Sequence, residues 1–519
     1  MKKVVTVDEM RSLERGAEAR GLPGPALMEN AGRAVADVIV GRYAPSRGKH
    51  VLVLIGPGNN GGDGLVVARH LADARFTVVS YLINRPLVDD AKLDLLRQRG
   101  VPLISHSEDP DRVRLAQLLE SADLIVDAIL GTGRARPVTG ALADILDQVN
   151  ARREGHSGHS PLVAVDLPTG VNADTGDVDL HALTADLTIT LAEPKRGLLL
   201  GEAVNKVGEL VVADIGIPAV LAASIPVDFP AASDIAPLLP ARLPGGHKGS
   251  FGRVLAIVGS ELYTGAPVLV ARGAERIGAG LVTIACPVSV RANIAAHTLE
   301  STFYPLPDSG TGHFGRESLS TLRPVLGDYV AFVVGPGIGR APETASFLID
   351  LLSELRQHDR PVVIDADALT LLSQQERWWS LLPSQVILTP HSGEMARLTG
   401  RQSEQDRISD AITSATQWAA NLVLKGAYSV VARPNGQAAV LPFANPALAT
   451  AGTGDVLAGT ILGLLGQGLP PVDAALAGAF VHGFAGALLR NRFGPAGGLA
   501  SDLAGLLPVA LNTIRQTVT

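Results

Sequence analysis

The chain has 519 residues, 46% of them hydrophobic and 18% charged, which is enough to bury the cores of roughly two to three domains. Its formal net charge of -7, from 44 basic and 51 acidic residues without long runs of one sign, argues against nucleic acid or a membrane as partners. The single cysteine, Cys286, excludes an internal disulfide, and the lack of a signal-like segment or of roughly 18 consecutive apolar residues predicts a cytoplasmic protein.

In the first half of the chain, two amphipathic segments, 7–20 and 24–43, precede a series of short apolar runs. These runs are VLVLI at 51, FTVVSYL at 76, DLIVDAI at 123, LVAVD at 162, DLTITL at 186 and ELVVADI at 209. They alternate with helix-like segments, which is typical of a mostly parallel sheet covered by helices on both faces. We therefore predict a three-layer α/β/α domain at residues 1–225.

Residues 226–244 concentrate prolines and small residues, which predicts a linker. Downstream the same rhythm returns, with VLAIVG at 254, LVTIAC at 281, YVAFVVG at 329, PVVID at 361, QVILTP at 385 and NLVLKG at 421. Long helices are expected at about 453–467, 472–490 and 499–514. We predict a second α/β domain at residues 245–519, and no matching motifs indicate an internal duplication.

Glycine-rich and acidic segments follow three strands of the first half, namely GPGNNGGDG at 56–64, GTGRARP at 131–137 and DLPTG at 166–170. Ligands bind beyond the carboxyl ends of parallel strands, and glycines let backbone amides approach an anion closely. The pattern predicts a pocket for a nucleotide or another phosphorylated metabolite, although each segment could also be only a tight turn. Asn60, Asp127 and Thr169 offer hard oxygen ligands of the type that alkali and alkaline-earth cations select.

In the second half, ATAGTGDVLAGTILGLL at 449–465 places glycines and Asp455 directly before an apolar helical run. Amides at a helix start can stabilise phosphate charge, and a carboxylate there can take a proton from an attacking hydroxyl. Asp455 is therefore a candidate general base, or alternatively a helix cap. Lys425 is placed to approach a phosphate, and His391 could meet a substrate or be structural.

These motifs carry a family resemblance over nearly the whole chain. In the first half it rests on LMENAG, GPGNNGGDG, GTGRARP, VDLPTG and PKRGLLLGEA, which resemble the NAD(P)H-hydrate epimerases. In the second half it rests on HKGSFGRVLAIVGS, GPGIG, LTPHSGEMARLTG, LVLKGAYSVVARPNG and AGTGDVLAGTILGLL, which resemble the NAD(P)H-hydrate dehydratases of the ribokinase-like superfamily. The resemblance is to bifunctional bacterial repair enzymes and implies a Rossmann-like first domain and a ribokinase-like second domain.

For the first half, the resemblance implies interconversion of the R and S hydrates of reduced nicotinamide cofactors. The implied substrate contacts are Asn59, Asn60, Gly61, Gly62, Asp63, Gly131, Thr132, Gly133, Arg134, Ala135, Arg136, Pro137 and Asp166. Asn60, Asp127 and Thr169 match potassium ligands of the family. Asp166 matches an acid that could handle the proton.

For the second half, the resemblance implies dehydration of the S hydrate with ADP, or with ATP, after phosphorylation of the ring hydroxyl. The implied hydrate contacts are Ala266, Gly337, His391 and Asp455. The implied nucleotide contacts are Lys425, Gly426, Ala427, Tyr428, Ser429, Gly452, Thr453 and Gly454. Asp455 is expected to deprotonate the hydroxyl, and magnesium is expected by analogy with phosphoryl transfer.

Two alternatives stay open from the sequence. The second half could be a small-molecule kinase, which would leave a stable phosphorylated product instead of free phosphate. The first half could be a binding scaffold, although a scaffold has no need of a metal site and an acid at strand ends. The family resemblance also implies a homo-oligomer.

Overall fold

A computed structural model of the protein describes residues 1–43, 49–87, 90–133, 137–154, 160–242, 244–401 and 406–517. The chain forms two compact units, Lys2–Ile225 and Pro226–Thr519, with Met1 belonging to the second. The assignment of a separate activity to each unit stays a prediction.

The N-terminal unit alternates strands with helices along the chain. Its strands are β1 (Lys2–Lys3), β2 (His50–Ile55), β3 (Thr77–Leu82), β4 (Leu103–Ser105), β5 (Leu124–Ala128), β6 (Leu162–Val165), β7 (Leu187–Leu191) and β8 (Glu209–Ala213). Its helices are α1 (Val7–Glu18), α2 (Gly24–Tyr43), α3 (Asn59–Asp73), α4 (Ala91–Arg97), α5 (Val113–Ser121) and α6 (Ala141–Glu154). Strands β2 to β8 form a parallel sheet in the order β4-β3-β2-β5-β6-β7-β8.

Strand β2 illustrates how the sequence produces this sheet. Val51, Val53 and Ile55 belong to one buried cluster, and Leu52 and Leu54 belong to another, because successive side chains point to opposite faces. Helices α2, α3 and α4 contribute to the first cluster and helices α5 and α6 to the second. A strand buried on both faces is apolar throughout, as parallel sheets require. The predicted α/β class is confirmed.

The C-terminal unit has the same class of architecture. Its strands are β9 (Val227–Phe229), β10 (Arg253–Ile257), β11 (Leu281–Pro287), β12 (Thr302–Leu306), β13 (Ala331–Val334), β14 (Val362–Ile364), β15 (Val386–Leu388), β16 (Asn421–Leu424), β17 (Val430–Ala432) and β18 (Ala438–Val440). Its helices are α7 (Ala232–Ile235), α8 (Gly265–Ile277), α9 (Arg291–Ala295), α10 (Arg316–Leu322), α11 (Pro342–His358), α12 (Asp367–Leu372), α13 (Ser392–Thr399), α14 (Arg407–Trp418), α15 (Thr453–Gly466), α16 (Pro471–Phe493) and α17 (Ala500–Gln516).

The sheet of this unit runs in the order β9-β18-β17-β16-β15-β14-β13-β10-β11-β12. Strand β17 is antiparallel to both β16 and β18, and the other neighbouring pairs in this order are parallel. Helices α8, α15, α16 and α17 pack together with one face of the sheet in a single buried cluster. The long helices expected near the end of the chain therefore form the core on this face.

Residues 226–244 differ from the predicted linker. Val227 and Phe229 are buried in strand β9, which pairs with β18 through Val227 and Ala438. Ile235 and Leu239 are buried in the core cluster of the C-terminal unit. The many prolines made this short alternation of apolar residues hard to recognise in the sequence. Most of the segment is an integral part of the second unit.

Helix α16 is the one described helix that is long and apolar enough to cross a membrane, with a mean hydropathy of 1.6 over its most apolar window. The protein itself buries 72% of that window. The core helix of a globular unit passes the same test of length and composition, so this is weak evidence for a membrane span.

Candidate active sites

A cavity of about 1080 Å³ lies in the N-terminal unit, where the chain leaves strands β2, β5 and β6. Of the predicted substrate contacts, Asn59, Asn60, Asp63, Gly131, Thr132, Gly133, Pro137 and Asp166 line it. Gly61 and Gly62 instead allow close packing, because a Cβ would lie 1.9 Å from the Gly56 carbonyl oxygen and 2.7 Å from Met28 Cε, respectively. The predicted contacts at 134–136 lie outside the described residues.

The three predicted cation ligands lie in one hydrogen-bonded network beside this cavity. Asn60 Nδ2 donates to the Leu130 carbonyl at 3.0 Å, and the Leu130 amide donates to Thr169 Oγ1 at 3.1 Å. The Asp127 carboxylate accepts from Thr169 N and Thr169 Oγ1, each at 2.7 Å. Burial raises the pKa of Asp127 to about 6. The structure therefore links Asn60 through the backbone of Leu130 to Thr169, and Thr169 directly to Asp127.

Asn60 Oδ1 is buried and has no hydrogen-bond partner among the described residues. An unsatisfied buried oxygen costs about 1–3 kcal/mol, so a ligand at this position would remove a real penalty. Amide, hydroxyl and carboxylate oxygens are hard ligands, and this donor set fits an alkali cation.

Asp166 and Lys195 form a buried ion pair at the cavity wall. Lys195 is 1% exposed, and its Nζ donates to Asp166 Oδ1 at 2.5 Å and to the Leu191 carbonyl at 2.7 Å. Asp166 has a backbone φ of 69°, in the left-handed region that aspartate tolerates better than most residues. Sequence reasoning selected Asp166 but not Lys195, although Lys195 lies in the PKRG motif.

Two of the other carboxyl groups that line this cavity have a raised pKa. Burial raises the pKa of Glu14, and burial together with the negative charge of Asp166 raises the pKa of Asp63 well above its usual range. Lys195 and the carboxyl groups of Asp166, Glu14 and Asp63 therefore line one cavity, an arrangement suited to proton transfer. Glu14 comes from helix α1, far from the glycine-rich motifs, and no local signal identified it.

In the C-terminal unit, Asp455 lies in the first turn of helix α15. Gly452, directly before the helix, has a φ of 88°, which only glycine adopts readily. Burial, followed by the negative charge of Asp365, raises the pKa of Asp455 to about 7. A base with a pKa near the working pH is well suited to general base catalysis.

Lys425 lies between Asp455 and two other carboxylates. Its Nζ is 2.7 Å from Asp365 Oδ1 and 3.9 Å from Glu394 Oε2, and a Cβ on Gly454 would lie 3.4 Å from it. Burial alone would lower the pKa of Lys425, but Asp365 and Glu394 outweigh it and raise that pKa. A cation therefore stands at the amino end of helix α15, where a transferring phosphoryl group would carry charge.

His482 contacts the first turn of helix α15. Its Nε2 lies 2.8 Å from the Thr453 carbonyl, and burial lowers its pKa to about 4. The neutral imidazole therefore donates from Nε2 and fixes the first turn of α15. The apolar sequence around His482 gave no sign of this role.

The predicted nucleotide segment 425–429 is held by a second residue that sequence reasoning missed. The Arg407 guanidinium donates to the carbonyls of Leu424 at 3.1 Å and Lys425 at 2.9 Å, and also to that of Ala427. A Cβ on Gly426 would lie 2.7 Å from Arg407 Nη1. Burial lowers the pKa of Arg407 to about 10, so it stays charged at neutral pH.

The predicted hydrate contacts divide into two groups. Gly337 and Ala266 are adjacent, because a Cβ on Gly337 would lie 3.1 Å from Ala266 Cβ. His391 is exposed and caps helix α13, with its Nδ1 accepting from the amides of Gly393 and Glu394. It also lies next to Lys425, whose amide donates to the Pro390 carbonyl. A structural role for His391 is thus present in addition to any contact with a substrate.

Two family models match the chain. The family described as YjeF-related protein N-terminus matches residues 24–197, and the family described as NAD(P)H-hydrate dehydratase matches residues 254–508. Among solved structures, the ADP/ATP-dependent NAD(P)H-hydrate dehydratase from Bacillus subtilis, co-crystallised with ATP and Mg²⁺, is 29% identical, with a TM-score of 0.48. It covers 56% of this chain and 100% of its own.

Relatives that carry both units match over almost the full length. The chain is 39% identical to the bifunctional NAD(P)H-hydrate repair enzyme Nnr of Moorella thermoacetica, over 99% of this chain and 98% of the relative. It is 39% identical to the Nnr enzyme of Salinibacter ruber, over 97% and 95% of the two chains. The chain therefore belongs to the family of bifunctional NAD(P)H-hydrate repair enzymes.

Proposed function

We propose that this protein restores reduced nicotinamide dinucleotides whose ring has added water. The N-terminal unit interconverts the R and S hydrates, and the C-terminal unit removes water from the S hydrate with the help of ADP or ATP. The observation that carries the proposal is the partly buried Asp455 carboxyl with its raised pKa at the start of α15, close to the charge of Lys425. Relatives that match over almost their full length and are named bifunctional NAD(P)H-hydrate repair enzymes support it.

In the dehydration, Asp455 takes the proton of the ring hydroxyl, and the hydroxyl oxygen attacks the terminal phosphoryl group of the nucleotide. ADP then leaves as AMP, or ATP as ADP. Phosphate departs from the ring carbon while the neighbouring carbon loses a proton, and the ring double bond forms again. Phosphate is a far better leaving group than hydroxide, which is the purpose of the phosphorylation.

The surroundings of Asp455 suit the phosphoryl transfer. The amides of Gly452, Thr453 and Gly454 stand at the positive end of helix α15, and Lys425 adds a full positive charge. Asp365 and Glu394 offer carboxylate oxygens of the kind that holds Mg²⁺ together with phosphate oxygens. Bound Mg²⁺ would neutralise part of the phosphate charge.

In the epimerisation, we assign the movement of the proton to Asp166, whose carboxylate Lys195 holds at the cavity wall. Asn60, Asp127 and Thr169 would hold potassium, with Asn60 Oδ1 as an oxygen that lacks another partner in the described part of the chain. Potassium would supply positive charge next to the substrate. Homo-oligomeric assembly and a cytoplasmic location stay predictions.

The function is tested by incubating the pure protein with a mixture of R and S hydrates and with ADP or ATP in parallel. Recovery of reduced nicotinamide with release of free phosphate is expected, with the whole mixture consumed. A stable phosphorylated product would instead favour the small-molecule kinase. If neither nucleotide restores reduced nicotinamide, the proposal is wrong.

A further inference from the structure

Two buried polar atoms face the same glycine in the C-terminal unit. Ser260 Oγ and His313 Nδ1 are buried and have no hydrogen-bond partner among the described residues. A Cβ on Gly339 would lie 3.4 Å from Ser260 Oγ and 3.8 Å from His313 Nδ1. Ser260 is 1% exposed, so bulk water does not satisfy its hydroxyl. Ser260 ends the HKGSFGRVLAIVGS motif, but the resemblance implies no role for its side chain or for that of His313.

The two residues come from separate loops that the backbone holds together. The amide of Gly259 donates to the Pro336 carbonyl, and the amide of Glu261 donates to the Gly312 carbonyl, both at 3.0 Å. The loop after strand β10 is therefore fixed between the loop after β13 and the loop after β12. These backbone hydrogen bonds hold the three loops together without a ligand.

The pair lies next to the residues expected to contact the hydrate. Within the single loop 335–339, Gly337 approaches Ala266, while Gly339 approaches Ser260 and His313. The Gly339 amide also donates to Asp367 Oδ2 at 3.1 Å, which ties this loop to the carboxylates around Asp455. The two polar atoms are thus close to the place where the ring of a hydrate is expected.

Buried polar groups almost always have hydrogen-bond partners, so this pair calls for a ligand that supplies both. The serine hydroxyl can donate a hydrogen bond, and the imidazole can accept one at Nδ1 when its proton is on Nε2. An amide group offers a carbonyl oxygen and an N–H side by side. We propose that Ser260 and His313 bind the carboxamide substituent of the hydrated nicotinamide ring, an inference that rests on the proposed function.

This subsite assigns a distinct task to each residue. Ser260 donates to the carboxamide oxygen, and His313 Nδ1 accepts from the carboxamide nitrogen. A reduced dinucleotide with an acetyl group in place of the carboxamide keeps the oxygen but lacks the N–H. The acetyl analogue therefore keeps the hydrogen bond from Ser260 but loses the hydrogen bond to His313.

The test compares the hydrates of NADH and of reduced 3-acetylpyridine adenine dinucleotide as substrates of the full chain. The wild type is expected to prefer the NADH hydrate at least tenfold in kcat/KM. Ser260→Ala should lower kcat/KM about tenfold for both hydrates. His313→Leu should lower it only for the NADH hydrate and so abolish the preference, and His313→Asn, which keeps an acceptor near the Nδ1 position, should restore part of it.

Nucleotide KM and thermal melting serve as controls for folding, with Ser320→Ala and His297→Gln as matched variants at exposed positions. The nucleotide KM should not change in any variant. If the wild type dehydrates both hydrates equally well, or if His313→Leu keeps the preference, the subsite is wrong while the proposed function stands. If the wild type dehydrates neither hydrate, the proposed function fails and the subsite fails with it.

Discussion

At the residue scale, the raised pKa of Asp455 has opposite consequences for activity and for stability as the pH rises. Its pKa is raised from 3.8 to about 7, so the folded chain binds this proton more tightly than the unfolded chain does. The folded state therefore loses stability as the pH rises from about 4 through about 7. A general base must be deprotonated to act, so activity is expected to rise over the same interval.

We expect Asp455→Asn to lower nicotinamide recovery by about 10²- to 10⁴-fold, the usual contribution of a positioned acid or base. The same variant should melt at a higher temperature than the wild type at pH 8, because it removes a partly buried negative charge, and the difference should shrink toward pH 4. Phosphate release and thermal melting measure the two effects. Asp350→Asn, at an exposed position of α11, is the control and should alter neither. A melting temperature at pH 8 equal to the wild-type value would contradict the raised pKa.

The Lys195 to Asp166 pair allows a second test at this scale. Lys195→Met leaves a buried carboxylate without its counter-charge, and loss of one partner of a buried pair costs about 3–5 kcal/mol. Adding Asp166→Asn should return much of that stability, because the remaining charge is removed, but it should not return epimerisation. Denaturant unfolding of the single and double variants measures the coupling. Additive effects of the two changes would mean that the pair does not interact.

The residues that sequence reasoning found and missed differ in one respect. Asp455 and Asn60 stand inside glycine-rich motifs, whose local pattern already indicates a ligand site. His482 and Arg407 act on such motifs from elsewhere in the chain and are recognisable only by the atoms that they contact after folding. Lys195 stands in the PKRG motif, but only its contact with Asp166 reveals its role. Gly61 and Gly62 show the opposite case. Their motif does mark the site, but the absence of a side chain at these two positions makes room for the protein's own atoms.

At the element scale, helix α14 supports the loop that follows strand β16. Arg407, the first residue of α14, donates to the last carbonyl of β16 and to two carbonyls of the loop, so the loop shape depends on one side chain. We expect Arg407→Met to raise the nucleotide KM at least tenfold and to leave the hydrate KM within about twofold, since removal of hydrogen bonds made by a charged group typically costs ~1.5–3 kcal/mol. Arg316→Met, at an exposed position of α10, is the matched control.

Steady-state kinetics with each substrate varied in turn separates these outcomes. Equal increases in both KM values would indicate general damage to the unit. An unchanged nucleotide KM would show that the loop keeps its shape without Arg407, and the positioning role would be wrong.

Elements that were predicted well have a distinct hydrophobic pattern in the sequence. The apolar runs at 51, 123 and 162 became strands β2, β5 and β6, because continuous burial in a parallel sheet leaves an unmistakable pattern. Short strands such as β9, β17 and β18 have three residues each and little period to detect. Their positions are set by pairing with neighbours that are distant in the sequence.

At the scale of the whole molecule, each unit carries its own set of chemical groups. We expect Asn60→Ala combined with Asp127→Ala to remove the potassium ligands and to limit rapid recovery to the S fraction of a mixed hydrate pool. Asp455→Ala should abolish recovery and leave interconversion of the two hydrates intact. Chromatography of the two hydrates over time, with and without nucleotide, measures both activities.

Each of these variants serves as the control for the other, because the unchanged activity reports that the chain has folded. The double variant should also lose any dependence of interconversion on potassium concentration. If both variants lose both activities, the assignment of one activity to each unit is wrong.

Strand β9 determines where the chain could be divided into two separate proteins, one for each activity. Residues 226–244 supply β9 and the buried side chains of Ile235 and Leu239 to the second unit. A shortened protein that begins at residue 245 would present the edge of β18 unpaired and would uncover apolar positions, a combination that promotes aggregation. If the gene is split, or if this unit is fused to another protein, the boundary must therefore lie next to Ile225. Residues 226–244 then stay with the second unit.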